Sequence, residues 1–539
     1  MTGMVRVVML CGCLSAVAAV DGPLRAQSPV AFSSSTRQIA YLKASNADGS
    51  DHFACGGSLP GHTGNAVAIS GDGSTLAVGA PHESSAARGI DGDQTDNSLY
   101  NAGAVYVYVR RGDAWLQQAY IKASNSGRND MFGLTVALSR DGSTLAVAAA
   151  WESSAATGVN GNQSDDSLPQ AGAVYVFVRS GGRWSQQAYL KASNTGRKGT
   201  GDDGDGDQFG FSIALSGDGN ALAVGAITED SAATGIDGNQ ADDSAASSGA
   251  VFLFTRAAGT WTQQAYVKSA NSEAGDLFGY GVALSGDGNA LAVAGYDEDG
   301  SGKGINPAND NGLNGSGAIY AFERERGTWR QTGYFKGSRS QRNDALGYAV
   351  AISDGGRTIA AGTGEEGCLT PGINPGGCDV DTFPSHLPAG SVGAVYVWTR
   401  SGETWVEQAF IKASNPDLED WFGVRLALSA DGNTLLVGAS MEDSAARGPN
   451  GNQRDNTAQD AGAAYVFTRT GANWKQDSYL KASNGDAFDE FGGSVAMSAD
   501  GRTLVIGARI EAGASSGVNV NQNDNSAPDA GAAYVFARN

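Results

Sequence analysis

A unit of about seventy residues recurs seven times along the 539-residue chain, and this repetition limits the possible folds more than any other feature. In one complete copy, Phe132-Gly133 is followed by four apolar runs. The first two lie at 136–138 and 145–147, the third at 172–177 and the fourth around Tyr189. The seven copies therefore predict seven equivalent structural units. Their opening residues are Phe53, Phe132, Phe209, Phe278, Leu346, Phe422 and Phe491, and an insertion after Phe53 delays the next run of the first copy to residues 67–69.

Each unit contains four short runs rich in Val, Ala, Tyr and Phe, separated by turns of Gly, Asp and Asn. No run shows a helical period, so the chain is predicted to be all-β. An Asp-Gly pair between the first two runs, as at Asp141-Gly142, is a hairpin signal because glycine tolerates positive φ. Four antiparallel strands in each of seven units predict a seven-bladed β-propeller, whereas an open array would expose apolar faces at both ends.

The two ends of the chain predict how the ring closes. A fourth run is missing after the last third run, 534–536, but a matching run stands at the N-terminus, at residues 38–46. The N-terminal run is therefore expected to supply the outer strand of the final blade, which removes an exposed edge. It carries Thr36 where the other outer strands begin with a tryptophan, and both the tryptophans and the opening Phe residues are interpreted as packing residues. The six tryptophans are Trp115, Trp184, Trp261, Trp329, Trp405 and Trp474.

The N-terminal residues have the pattern of an export signal. Arg6 precedes an apolar stretch at 7–20, and small residues at 16–18 and 24–26 offer cleavage sites. We predict a signal peptide at 1–26, a linker at 27–37 and a single propeller at 38–539. Residues 10–13 also resemble a lipobox, which would attach a lipid to Cys13. No later segment is apolar for long enough to span a membrane, so a secreted, periplasmic or outer-surface location is expected.

Charge and cysteine usage are consistent with export. The formal net charge of −21 disfavours nucleic acid as a partner, because an acidic surface repels phosphate groups. Cys368 and Cys378 bracket a Gly/Pro-rich loop and are predicted to form a disulfide. Cys55 has no assignable partner.

The repeated motifs resemble a known family. Phe-Gly at the head of each copy, followed by Val-Gly-Ala and by Gly-Ala-Val-Tyr-Val-Phe at 172–177, is similar to the FG-GAP repeat of integrin α-subunit propellers. The resemblance implies an extracellular propeller for adhesion or ligand binding, often with calcium in an Asp-rich hairpin between the first two strands. Here that hairpin is only Ser-x-Asp-Gly, as at 216–219 and 429–432, and one carboxylate is too few for calcium.

The loops between the second and third runs are the main candidate site. Strand parity places them on one face with the connections between blades, where their Asp and Asn oxygens form either a Ca²⁺ or ligand-binding surface or a set of solvated Asx turns. Calcium is the cofactor expected if these loops bind one. The candidate ligands are Asp237, Asn239, Asp242, Asn160, Asn162, Asp165, Asn450, Asn452 and Asp455.

Other motifs are interpreted as structural. Arg111-Gly112-Asp113 matches an integrin-recognition tripeptide, but it lies in a turn of a kind present in every copy. Three of the four histidines, His52, His62 and His82, fall in the first copy without metal-ligand spacing, and His386 lies elsewhere. No nucleophile, P-loop or metalloprotease motif is found, and the inner strands are expected to be small and apolar, so no catalytic residue is assigned.

The sequence therefore predicts a monomeric, non-catalytic propeller that binds a protein or glycan ligand outside the cell or at a cell surface. Two alternatives stay open. One is a polysaccharide-acting hydrolase or lyase with a site in the irregular loops 297–315 and 365–388 of the fourth and fifth copies. The other is a structural component of the envelope.

Overall fold

The structure is a computed structural model, and it describes residues 35–56, 64–196, 206–378 and 391–539. The predicted signal peptide, Cys13, His62 and His386 lie outside these residues. The described residues form β-strands joined by turns and loops, with no helix among them. In chain order the strands are β1 (Arg37–Leu42), β2 (Val67–Ile69), β3 (Thr75–Ala80), β4 (Ala104–Arg111), β5 (Ala114–Ile121), β6 (Thr135–Leu138), β7 (Thr144–Ala149), β8 (Ala173–Ser180), β9 (Arg183–Leu190), β10 (Phe209–Leu215), β11 (Ala221–Ala226), β12 (Ala250–Ala257), β13 (Thr260–Val267), β14 (Phe278–Leu284), β15 (Ala290–Gly295), β16 (Ala318–Glu325), β17 (Thr328–Phe335), β18 (Leu346–Ile352), β19 (Thr358–Thr363), β20 (Ala394–Ser401), β21 (Thr404–Ile411), β22 (Phe422–Leu428), β23 (Thr434–Ala439), β24 (Ala463–Thr470), β25 (Asn473–Leu480), β26 (Phe491–Met497), β27 (Thr503–Ala508) and β28 (Ala532–Ala537).

These strands form seven four-stranded antiparallel sheets, which are the blades of a propeller. Blades 1 to 6 each use four consecutive strands, from β2–β5 to β22–β25. Blade 7 has the order β1-β28-β27-β26, and its register pairs Arg37 with Ala537 and Leu42 with Ala533. The prediction that an N-terminal strand completes the last blade is therefore confirmed.

The first strand of every blade faces the central axis and contacts the first strands of both neighbours, from β2–β6 round to β2–β26. We call the end of the channel with the hairpins between first and second strands the lower face. There, in six of the seven blades, the second residue of the hairpin donates its backbone N–H to the hairpin of the next blade; the exception is the junction between blades 4 and 5. The Gly71 N–H donates to the Arg140 carbonyl over 2.8 Å, and the Ala499 N–H donates to the Gly71 carbonyl over 3.0 Å. This belt of backbone hydrogen bonds holds the ring together near its axis.

The hydrophobic core lies between adjacent blades. Phe132 packs edge-on against Tyr175 and Phe177 of its own blade, with ring centroids 5.3 and 6.1 Å apart. The start of the next inner strand comes so close to Gly172 (φ +79°) that a Cβ there would lie 2.2 Å from the carbonyl oxygen of Phe209. The outer-strand tryptophans are buried, and Trp184 donates its Nε1–H to Gln118 of the neighbouring blade over 3.0 Å. The motifs that repeat are therefore those that pack blade against blade.

Candidate functional site

The upper face carries the loops between second and third strands together with the connections between blades. Side chains link the two sets: Asn97 donates to Asp48 over 2.8 Å, and Asn525 donates to Asp486 over 2.7 Å. Polar groups from neighbouring blades therefore share this face, and all the candidate cation ligands lie on it.

Each of the nine candidate ligands uses a side-chain oxygen inside its own blade. Asn160 Oδ1 accepts the N–H of Tyr189 over 3.0 Å, and Asp237 and Asn450 repeat this bond in their blades. Asn162 and Asp165 accept the backbone N–H two residues further on, as do Asn239, Asp242, Asn452 and Asp455. This geometry is that of Asx turns.

One group of acidic, histidine and cysteine side chains in the described residues is compact enough to share a metal ion, and it lies elsewhere. It consists of Glu366, Cys368 and Cys378. The two cysteines are joined in a disulfide, so their sulfur atoms are not thiolate ligands.

Beneath the loops, every blade buries a lysine–glutamate pair that the sequence analysis missed. In blade 2, Lys191 Nζ lies 2.9 Å from Glu152 Oε2, while Tyr189 and Asn125 donate to Glu152 Oε1 over 2.8 and 2.9 Å. Asn125 follows the outer strand of blade 1, so this network also joins neighbouring blades. The signal in the sequence was the glutamate itself, which recurs in all copies. The seven pairs are Lys43–Glu511, Lys122–Glu83, Lys191–Glu152, Lys268–Glu229, Lys336–Glu298, Lys412–Glu366 and Lys481–Glu442.

The side chains at the upper mouth of the channel do not repeat. The opening motif is Asp-x-Phe-Gly in five blades, with Ala54 replacing Gly in blade 1 and Leu346 replacing Phe in blade 5. The x residue has a left-handed backbone in all seven blades, with φ between 51° and 57°. Its N–H donates to the preceding loop, as Trp421 does to the Ser391 carbonyl over 2.9 Å. The backbone rather than the side chain therefore sets this conformation, and the residue type is free to vary. The seven residues are His52, Met131, Gln208, Leu277, Ala345, Trp421 and Glu490.

A second variable set follows the second strand of each blade, just before the buried glutamate. No two blades carry the same pair of residues there. The pairs are 81–82 (Pro-His), 150–151 (Ala-Trp), 227–228 (Ile-Thr), 296–297 (Tyr-Asp), 364–365 (Gly-Glu), 440–441 (Ser-Met) and 509–510 (Arg-Ile).

Blades 3 to 6 form an aromatic sector of this mouth. Tyr280 stacks on Tyr296 with ring centroids 4.2 Å apart, and Phe211 lies 5.2 Å from Tyr280. Tyr348 meets Tyr296 and Trp421 edge-on at 5.1 and 5.5 Å. The expectation of small apolar inner strands is therefore wrong here, because Tyr280 and Tyr348 are inner-strand residues whose rings lie against the channel.

Charged groups accompany these rings. The Tyr296 hydroxyl donates to Glu365 Oε1 over 3.4 Å, and burial raises the pKa of Glu365. Burial also raises the pKa of Asp297, and the nearby Asp299 adds to the effect. Arg425, from the inner strand of blade 6, lines the channel beside Tyr280 and Tyr348. Donors, acceptors and aromatic faces thus meet in one place.

The opposite sector of the mouth, at blades 7 and 1, is already internally paired. Arg509 Nη2 donates to Glu490 over 2.6 Å, and the rings of His52 and His82 lie 4.4 Å apart. Burial, assisted by the positive charge of Arg509, lowers the pKa of both histidines to about 4. The histidines are therefore neutral at pH 7.

Below the aromatic sector, the channel contains a cavity of 130 Å³ lined by Thr135, Ser212, Tyr280, Tyr348 and Arg425, among others. At the lower face, Arg140 of blade 2 pairs with Asp354 of blade 5. These blades are not neighbours in the ring, so this ion pair crosses the channel. The cavity is therefore backed by charged side chains below and faces the upper mouth.

Comparison with known proteins identifies the repeat. A model of the FG-GAP repeat matches residues 115–177, 405–467 and 474–536. Each match runs from an outer-strand tryptophan through the first three strands of the next blade. The chain is an FG-GAP repeat β-propeller.

Other comparisons add little to this assignment. No curated protein matches the FG-GAP propeller significantly. Among solved structures, a "putative 6-phosphogluconolactonase" from Bacteroides uniformis is 8% identical, with 79% of this chain and 88% of that chain covered and a TM-score of 0.43. A similarity at that level carries no argument about function.

The FG-GAP assignment supports a binding or structural role, without naming a partner. The Ser-x-Asp-Gly hairpins use their carboxylates locally: Ser70 and Ser74 both donate to Asp72, over 2.6 and 2.8 Å. Arg111-Gly112-Asp113 forms the turn between the third and fourth strands of blade 1, at the lower face. The channel mouth is thus the part of the propeller where the chain departs from its own repeat.

Proposed function

We propose that this FG-GAP propeller is a non-catalytic binding protein that acts outside the cell or at a cell surface and holds a protein or glycan ligand at the upper mouth of its channel. One observation carries the proposal. The packing motifs repeat from blade to blade, whereas the mouth residues differ in every blade. Because packing between blades does not constrain the mouth residues, the mouth is free to carry one specific binding site on an otherwise repetitive scaffold.

The geometry of the mouth supports this role. The mouth is concave and partly aromatic, with a few polar groups aimed into it, which is the usual composition of a ligand site.

The location in the proposal has separate support. The N-terminal sequence resembles an export signal, and the disulfide between Cys368 and Cys378 is typical of oxidising compartments. In the described part of the chain, no helix is long and apolar enough to cross a membrane.

Binding of the purified protein to arrays of glycans, envelope polysaccharides and cell-surface proteins tests the proposal. We expect a captured ligand to be lost when Trp421 and Glu365 are changed together to Ala and Gln. Asp113→Ala, at an exposed position on the lower face, is the control and should bind normally. Binding that survives the mouth variant, or no binding to any class of ligand, would refute the proposal.

A second candidate is a polysaccharide-acting hydrolase or lyase, and Glu365 favours it. A carboxyl group with a raised pKa beside a tyrosine hydroxyl is suited to general acid catalysis near neutral pH. Glu365 and Asp297 both belong to the irregular loops of blades 4 and 5. Turnover of a polysaccharide that disappears in Glu365→Gln, with binding retained, would establish this activity, and the absence of turnover across a broad panel would exclude it.

A further inference from the structure

We infer that the aromatic sector and the cavity beneath it together bind the end of a neutral saccharide, with sugar hydroxyls bonded to the cavity wall and a sugar ring packed on Tyr296 and Trp421, which stand at the mouth and do not line the cavity itself. This inference rests on the proposed function and names the ligand class and the subsite. The aromatic side chains of the site come from blades 3 to 6, and Thr135 of blade 2 also lines the cavity.

Size and closure favour a terminal unit. At roughly 10–15 Å³ for the centre of each water molecule, the 130 Å³ cavity has room for about ten water-sized groups, which is the scale of one hexose. The Arg140–Asp354 pair crosses the channel below it. A polymer therefore has no straight path through the ring, and its end has to enter from the upper mouth.

The aromatic rings favour a sugar over an extended peptide. A pyranose has an apolar C–H face and a polar edge, so it combines well with tyrosine and tryptophan side chains, which are apolar over the ring and polar at one end. Tyr296 and Trp421 are both partly exposed at the mouth, and Tyr280 and Tyr348 are buried behind them. Tyr280 stacks under Tyr296, which holds that ring in one orientation.

The polar groups deeper in the cavity match hydroxyl ligands. Ser212 donates to the Gly279 carbonyl over 2.6 Å and Thr135 to the Phe211 carbonyl over 3.2 Å, so both hydroxyl oxygens still have lone pairs for acceptance. Arg425 brings a planar guanidinium to the same wall, and its Nη1 donates to the Val424 carbonyl over 2.7 Å. A sugar hydroxyl both donates and accepts, so it suits a wall that offers both.

The charges favour a neutral ligand. The guanidinium of Arg425 repels a cation that enters the cavity, and this disfavours quaternary ammonium groups, which aromatic sites otherwise attract. Glu365 and Asp297 at the rim, with the net charge of −21, repel a polyanion. A neutral polyol avoids both penalties.

Titration calorimetry and tryptophan fluorescence of the full protein with neutral hexoses, their disaccharides and hexuronic acids test this inference. We expect saturable binding of a neutral saccharide. Loss of a central aromatic contact weakens binding by tenfold or more, so Tyr296→Ala should raise Kd by at least tenfold. Tyr100→Ala removes an exposed tyrosine from a loop of the same face outside the mouth and should leave Kd unchanged.

Tyr348→Phe serves as a second variant, because it keeps the buried ring and removes only its hydroxyl. It should weaken binding while the melting temperature stays within a degree of wild type. No binding of any saccharide overturns the inference, as does saccharide binding that is insensitive to Tyr296→Ala and Tyr348→Phe. Preference for hexuronic acids overturns the assignment of a neutral ligand. A captured protein ligand without saccharide binding overturns this inference alone and leaves the proposed function standing.

Discussion

The buried lysine–glutamate pair of blade 2 offers a direct test of what stabilises the blades. In the variant Lys191→Met, the buried Glu152 loses its cation. The side chains of Lys191 and Glu152 are 0% and 1% exposed, so water does not replace the lost partner. Removal of one member of a buried pair costs about 3–5 kcal/mol, because the remaining charge is left uncompensated. We expect the free energy of unfolding to fall by that amount.

The double variant Lys191→Met/Glu152→Gln separates the charge effect from lost packing. The amide oxygen of Gln can still accept from Tyr189 and Asn125, and no buried charge remains. We expect the double variant to recover about 1–3 kcal/mol relative to Lys191→Met, which is the coupling typical of residues in direct contact. An exposed pair gives the control: Arg447 and Asp486 are 54% and 46% exposed, so Arg447→Met should cost less than about 1 kcal/mol.

Urea unfolding, followed by tryptophan fluorescence and by circular dichroism, provides the measurement. Coincident transitions are needed before the free energies are compared, since repeat proteins can unfold in parts. A cost for Lys191→Met as small as that of Arg447→Met would refute the reasoning. So would a double variant that is less stable than the single one, since the charge would then not be the cause.

Three further predictions concern the turns, the pH and calcium. Gly172→Ala should lower the free energy of unfolding in urea by more than about 2 kcal/mol, because position 172 has a positive φ and the new Cβ meets the Phe209 backbone. Gly181→Ala is the control: position 181 has a φ of +58° but lies in open space, so the substitution should cost about 1 kcal/mol. Equal costs for the two variants would contradict the packing argument. Burial raises the pKa of the Asp that begins the opening motif of each blade, to about 7 for Asp130 and Asp489. In the unfolded chain the pKa of an Asp side chain is 3.8, so between these two values the folded state binds protons that the unfolded state has released. Stability should therefore increase as the pH falls from 8 to about 5, although below pH 6.5 the two buried histidines oppose this increase. Asp130→Asn should reduce the dependence of stability on pH. A midpoint in urea that falls as the pH falls over this range would contradict the assignment. A chelator should leave the melting temperature unchanged, because the candidate loop oxygens are engaged in Asx turns, whereas a decrease would show that these loops bind calcium after all.

Much of the fold could be predicted because the repeat carries redundant information. Alternating apolar runs, Asp-Gly hairpins and a fourth run displaced to the N-terminus are local patterns, and each is repeated often enough to exclude a chance match. The pairing of β1 with β28 follows from the same logic, since an unpaired outer edge in the last blade would leave backbone groups exposed.

The candidate site was less accessible to that reasoning. The loop oxygens were predicted as candidate ligands from their Asp and Asn content, and the structure shows that each also accepts a hydrogen bond inside its own blade. Glu365 and Asp297 fell inside loops singled out as irregular, although nothing in those loops indicated that Tyr296, Tyr348 and Trp421 would meet beside them. Those three rings are separated by more than fifty residues of sequence at each step.

The sequence by itself determined the number of blades, their four-stranded plan and the closure of the ring, because these depend on periodic patterns and on the pairing of edges. Only the tertiary structure decided what the ring encloses. Residues that are distant along the chain reach the same mouth because each blade places its first strand at the axis. Every first strand begins at the upper face of the ring, so the residues that precede these strands come together there. The non-repeating positions are thereby collected at one mouth, which no single repeat contains.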